Sequence, residues 1–371
     1  MLDVGSHAVR LLVAEVDGAV PLPVHTAKRA VRLAEHVDRE GRVAHEAVRR
    51  IAAAVAAARR KAAEWEVEEP FFAFATAIVR DAPNRDAVLD AVQRSTGVLL
   101  RILDGRTEAE LTFRAARRWM GWRAGPMVLL DIGGGSLEVA FGRSRLPDFA
   151  ASLPLGAARL TREYLTAQDP PDNTAVMALR RRVRHELRDV AARVRWEAPQ
   201  TAVATSRTFQ QLARLCGAAP GREGPFVLRR LARSDLRRAV DRLVATPVAA
   251  RAALPGISAP RARQSLAGAL VAHTAMKVAG IETVTISPWA LREGVLLRHI
   301  EDADPGWWWN PGAANAAGAG SMGTGSMGPG SMGTGSTGPS AVGPGSSAMG
   351  PGSVSAVNGG ETARLRVVRP E

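Results

Sequence analysis

The chain has 371 residues, 46% of them hydrophobic, with a single cysteine and a formal net charge of +13. That is enough apolar residue for about two domains. It excludes a disulfide framework or multi-cysteine metal site and, for want of an apolar run of about 18 residues, a membrane span.

In chain order, residues 2–16 predict an apolar strand, a Gly-Ser turn and a second strand. With an early aspartate and no basic residues ahead of an apolar stretch, MLDVGSHAVRLLV does not read as a secretory signal, and the expected compartment is the cytoplasm. Residues 45–65 carry apolar positions at three- and four-residue spacing and predict a helix. The run 71–76 predicts a buried strand. Then come a helix over 86–96, a strand over 98–103 and a helix from about Thr107 to Trp119. Residues 127–142 repeat the opening: an apolar strand ending in Asp131, a glycine turn and a second strand. Helices follow at about 173–196 and 232–245, with strands at 202–206 and 283–287. After Pro305 the composition changes. Trp307-Trp308-Trp309 leads into repeats such as GSMGT from Gly320, too poor in periodic apolar residues to offset chain entropy. The expected organisation is α/β: one domain over 1–120, a similar one over 121–304, and a disordered tail over 305–371. The helix near 290–300 is expected to return to the first domain.

Two segments carry the chemistry. Asp3-Val4-Gly5-Ser6 and Asp131-Ile132-Gly133-Gly134-Gly135-Ser136 each place a carboxylate at the end of an apolar strand with glycine close behind. Glycine lets backbone N–H groups approach an anion. An aspartate can hold Mg2+, which in turn binds phosphate oxygens. Two such turns facing across a cleft would grip phosphate from both sides. The net charge agrees, because all but three of the 49 basic residues are arginines, whose forks suit phosphate. With 5% aromatic residues a base-stacking platform is disfavoured, and no nucleic-acid partner is expected. Ala75-Thr76-Ala77-Ile78-Val79-Arg80 adds a hydroxyl and an arginine, and Gly105-Arg106-Thr107-Glu108 opens a helix with a carboxylate in its first turn.

The set LDVGS, ATAIVRDA, DGRTEAEL, LLDIGGGSLEV, SLPLGAARLT and SPWALREG, in order over residues 1–300, resembles the exopolyphosphatase / guanosine pentaphosphate phosphohydrolase (Ppx/GppA) family. The resemblance implies the actin-like ATPase fold (sugar kinase/Hsp70/actin, ribonuclease H-like), duplicated, with the site in the interdomain cleft. It implies hydrolysis of the terminal phosphate of inorganic polyphosphate, with short chains preferred, and a homodimer. By motif match Glu108 is the catalytic base, and Asp131 and Glu138 serve Mg2+ (or Mn2+) and the attacking water. Asp3 is a third metal residue, and Gly5, Ser6, Arg80, Gly133, Gly134, Gly135 and Ser136 bind phosphate. Three departures stand out. His7 replaces the Asn or small polar residue usual after Gly-Ser, Glu110 replaces an arginine, and Ala204-Thr205-Ser206-Arg207-Thr208 replaces a glycine-rich turn. The last argues for a substrate that is phosphate only. The alternatives are hydrolysis of guanosine pentaphosphate, which a nucleotide-dependent melting shift would reveal, and a phosphate-sensing regulator, which would bind without turnover.

Overall fold

The computed structural model describes residues 1–17, 20–38, 40–65 and 72–301. The tail expected over 305–371, with its tryptophan triplet, lies outside the described residues.

The chain opens with β1 (Leu2–Val4), β2 (Ala8–Asp17) and β3 (Val20–Ala30), then α1 (His45–Ala62), β4 (Ala73–Ala75), α2 (Ala77–Arg80), α3 (Arg85–Thr96) and β5 (Arg101–Ile102). These strands form one sheet in the order β3-β2-β1-β4-β5. β1 is antiparallel to β2 and parallel to β4. The strand β3 was not expected from sequence. Its Pro21 and Pro23 speak against a central strand, but β3 is an edge, where a missing N–H costs no ladder bond. Buried Ile51, Val55, Val88 and Val92 of α1 and α3 close the core of this first lobe.

α4 (Gly105–Met120) leads into β6 (Met127–Ile132), β7 (Leu137–Gly142), β8 (Phe149–Leu153), α5 (Ala157–Tyr164), α6 (Asn173–Glu197), β9 (Thr201–Thr205) and α7 (Ser206–Leu215). β10 (Arg230–Ala232), α8 (Arg233–Ala245), α9 (Val248–Arg251), α10 (Ser265–Val278), β11 (Thr283–Ile286) and α11 (Leu291–Glu301) complete the described chain. The second sheet runs β10-β11-β9-β6-β7-β8. Read from β8, its first five strands repeat the first sheet: an antiparallel edge pair, a central strand, then strands added in parallel. This is the duplicated α/β architecture expected. α10 was missed because eleven of its fourteen residues are buried, so it has no polar face for a helical period to reveal.

α4 touches both lobes. Leu111 packs with Phe74 and Leu103, while Phe113 and Ala116 pack with Met127 and Leu129. α11 lies along α4, and its Val295 joins the Phe74 cluster. A Cβ on Gly294 would overlap the Leu111 carbonyl, so this crossing requires glycine. No described helix is long and apolar enough to cross a membrane.

Candidate active site

Strand register builds the centre of the site. Asp131 on β6 lies opposite Glu138 on β7, Thr205 on β9 lies beside Asp131, and Ser152 on β8 lies opposite Glu138. Residues in register point to one face of a sheet, so Thr205, Asp131, Glu138 and Ser152 form one polar rung across four strands. The Thr205 hydroxyl donates to Asp131 Oδ2 at 2.5 Å, and the Ser152 hydroxyl donates to Glu138 Oε1 at 2.9 Å.

Glu108 reaches this rung from the first turns of α4. That helix starts at Asp104, whose carboxylate accepts from the Thr107 backbone N–H at 3.0 Å. Arg80, at the end of α2, ties the groups together. Its Nη1 donates to Glu108 Oε2 at 2.8 Å, its Nε donates to Asp81 at 2.9 Å, and its Nη2 lies 3.5 Å from Ser152 Oγ. Arg80 therefore holds the candidate base directly. Across the lobes, Arg159 donates to Asp81 at 2.6 Å.

Electrostatically the three carboxylates act as a group. Burial pushes Asp131 up to about 6. Burial, with the Asp131 charge behind it, pushes Glu138 up to about 7. Glu108 is driven well above the usual carboxylate range, by burial first and by Glu138 second, with Arg80 opposing. Burial opposes the charge of Arg80 too, but Glu108 and Asp81 outweigh it and hold its guanidinium above its ordinary range.

The two glycine turns meet. A Cβ on Gly134 would overlap the Ser6 side chain, and one on Gly135 would overlap Ala77. Gly156, at the start of α5, presses on the Gly134–Gly135 backbone. The N–H groups of Ala157, Ala158 and Arg159 donate to the Gly133 and Gly134 carbonyls at 3.0 Å. These contacts fix the loop and bring Gly133, Gly134, Gly135 and Ser136 towards Gly5 and Ser6. Beside them opens a cleft of about 410 Å3 lined by Arg80, Asp81, Gly105, Arg106, Ser136, Ser152, Leu153 and Pro154.

Asp131 and Glu138 are neighbouring desolvated carboxylates, which a hard divalent cation would relieve. Among the described residues no group of three His, Cys, Asp or Glu side chains is placed to hold a metal ion by itself. Two carboxylates would leave the rest of a bound cation's shell to water and phosphate oxygens. Asp3, the third expected metal residue, is not gathered with them; it is buried beside Arg10, 3.9 Å away.

Sequence reasoning gave no role to Ser152, Thr205 or Ser206. Ser152 lies within a quoted motif, and only the pairing of β7 with β8 gives it a function. Ser206, in the segment noted as replacing a glycine-rich turn, takes a glycine-like conformation with φ 76°. With Thr205 it works against burial to hold the Asp131 carboxyl down. The expectation that this segment favours a phosphate-only substrate meets a cavity of about 420 Å3 beside Arg207, with Pro220, Pro225, Ile286 and Pro288 among its walls.

Residues 12–303 match the Ppx/GppA phosphatase family. An uncharacterized Streptomyces coelicolor protein is 66% identical over 309 residues, covering 83% of this chain and 91% of its own. Exopolyphosphatase 1 of Mycobacterium leprae is 45% identical over 309 residues, covering 82% and 90%. An exopolyphosphatase from Cytophaga hutchinsonii shares the fold with a TM-score of 0.72 at 23% identity, over 80% of this chain and 96% of that one. With the paired glycine turns and the carboxylate rung in place, this chain belongs to the Ppx/GppA phosphatase family.

Proposed function

We propose that the protein is an exopolyphosphatase, hydrolysing the terminal phosphoanhydride of inorganic polyphosphate with a preference for short chains. The observation that carries this reading is the convergence of Glu108, Asp131, Glu138 and Arg80 beside two opposed Gly-Ser turns. Phosphoryl transfer is largely positioning and charge stabilisation. The terminal phosphate lies between the turns, against the Ser6 and Ser136 hydroxyls. A water attacks its phosphorus in line, the bridging P–O bond breaks, and the electron pair leaves on the shortened chain. Glu108 takes the water's proton; its raised affinity for protons makes it a stronger base once ionised. Arg80 holds the Glu108 carboxylate in place. Mg2+ on Asp131 and Glu138 would supply positive charge for the phosphate oxygens.

Phosphates further along the chain meet cations. Lys28, Arg10 and Asp3 are successive cross-strand neighbours in the first sheet. Arg261 is pushed down to about 10, by burial and then by Arg10 and Arg207. A cation held among other cations gains from an anion. The protein acts as a dimer in this reading, as the family resemblance implies.

A second reading, hydrolysis of guanosine pentaphosphate, draws on the cavity beside Arg207, whose apolar walls suit a purine. A competition assay at equal concentrations of short polyphosphate and guanosine pentaphosphate, with Mg2+, decides between them. A higher kcat/KM for polyphosphate is expected. A higher value for the nucleotide overturns the first reading in favour of the second, and binding of polyphosphate without turnover identifies a sensor.

A further inference from the structure

We infer that Gln264 and His7 form a relay across the lobes that makes Ser6 a hydrogen-bond donor to bound phosphate. This rests on the reading of the site as a phosphate site.

His7 follows Ser6 in the turn between β1 and β2, and Gln264 immediately precedes α10 in the other lobe. Gln264 Nε2 lies 3.0 Å from His7 Nε2, and His7 Nδ1 lies 2.9 Å from Ser6 Oγ. As oriented, the Gln264 amide presents its nitrogen, which donates and never accepts, to the ring, and its Oε1 is buried without a partner. His7 Nε2 is therefore the acceptor, and the proton of a neutral ring sits on Nδ1. Nδ1–H then donates to Ser6 Oγ, which leaves the Ser6 hydroxyl proton for a ligand. Neutrality follows from the surroundings: burial, then Arg261, Arg10, Lys28 and Arg32, push the imidazole down to about 3. The direction of the chain matters. With the proton on Nε2, Ser6 would spend its own hydrogen on Nδ1 and face an anion with lone pairs only. The Ser6 side chain sits against Gly134, so this hydroxyl is at the meeting point of the two turns. Consecutive donors also polarise one another, strengthening the last bond.

The relay explains how His7 can stand where an Asn or small polar residue is usual. An Asn side-chain amide can donate to Ser6 unaided, whereas a histidine needs a partner to choose its tautomer. Gln264, from the other lobe, makes that choice.

Two measurements test this. Nitrogen-15 spectra of histidine-labelled protein, with His7 identified by its loss in His7→Asn, should show protonated Nδ1 and bare Nε2 from pH 5 to 8. Affinity for inorganic tripolyphosphate is then measured by calorimetry in the Glu108→Gln background, to prevent turnover. Gln264→Met should weaken binding by about tenfold, the order expected for one charge-assisted hydrogen bond. In a His7→Asn background the same substitution should change nothing, a coupling that mere packing would not produce. A protonated Nε2, or a Gln264→Met loss equal in both backgrounds, or no loss, overturns the relay and leaves the function intact. If Glu108→Gln alone fails to bind tripolyphosphate while still folded, the phosphate reading falls and the relay with it.

Discussion

Glu138 offers the sharpest physical test, because its cost is worked from its position on the rung. It is 2% exposed and its carboxyl is pushed from an ordinary 4.5 to about 7. Holding it ionised in the folded, metal-free protein at pH 8 therefore costs about 3 kcal/mol, at about 1.4 kcal/mol per pH unit. Asp131, pushed up to about 6, carries a similar cost, and the two charges share part of it. The sign follows from proton counting. Between about pH 4.5 and 7 the folded chain holds protons that the unfolded chain has released, so stability falls as pH rises through that window. Glu138→Gln removes one charge and keeps an acceptor for Ser152. The variant should match the wild type near pH 4.5 and exceed it by about 2–3 kcal/mol at pH 8, with a shallower slope between. The assay is urea unfolding followed by circular dichroism, in chelator, at half-unit pH steps. Adding Mg2+ at pH 8 should raise the wild-type melting temperature and leave Glu138→Gln nearly unmoved. A flat wild-type profile, or a variant with the wild-type slope, would refute the desolvated-carboxylate reasoning.

Glu108→Gln should keep the fold and lose at least about 100-fold in turnover, since a positioned base contributes about 10²- to 10⁴-fold; melting curves and phosphate release check both halves. Ser152→Ala removes a donor to Glu138 and a contact of Arg80, so the acidic limb of the pH–rate profile should move to higher pH. An unchanged limb would leave Ser152 without a catalytic role. Gly294→Ala places a methyl on the Leu111 carbonyl and should destabilise by about 1–3 kcal/mol or more by urea unfolding.

Much of the architecture is written locally. Apolar strands ending in Asp3 and Asp131, each followed by glycine, announce a duplicated α/β chain, because a strand's burial and a turn's φ are set by neighbouring residues. Long amphipathic helices such as α1 and α6 are equally legible, since one face meets a core and the other meets water. Less legible were β3, whose prolines are tolerated only because it is an edge, and α10, which is buried over eleven of its fourteen residues. The site divides the same way. The residue types of Glu108, Asp131, Glu138, Arg80 and the glycine loop stand in the sequence as motifs. That Thr205 and Ser152 flank the two carboxylates depends on register between strands up to 74 residues apart. That Ser206 adopts a glycine's conformation depends on what packs around it. His7 looks like an anomaly until Gln264, 257 residues away, comes within 3.0 Å of its ring. Local sequence determines which groups are present and which strand or turn carries them. Their proton affinities and partners were decided only by tertiary structure, because burial and charge proximity are properties of the packed chain.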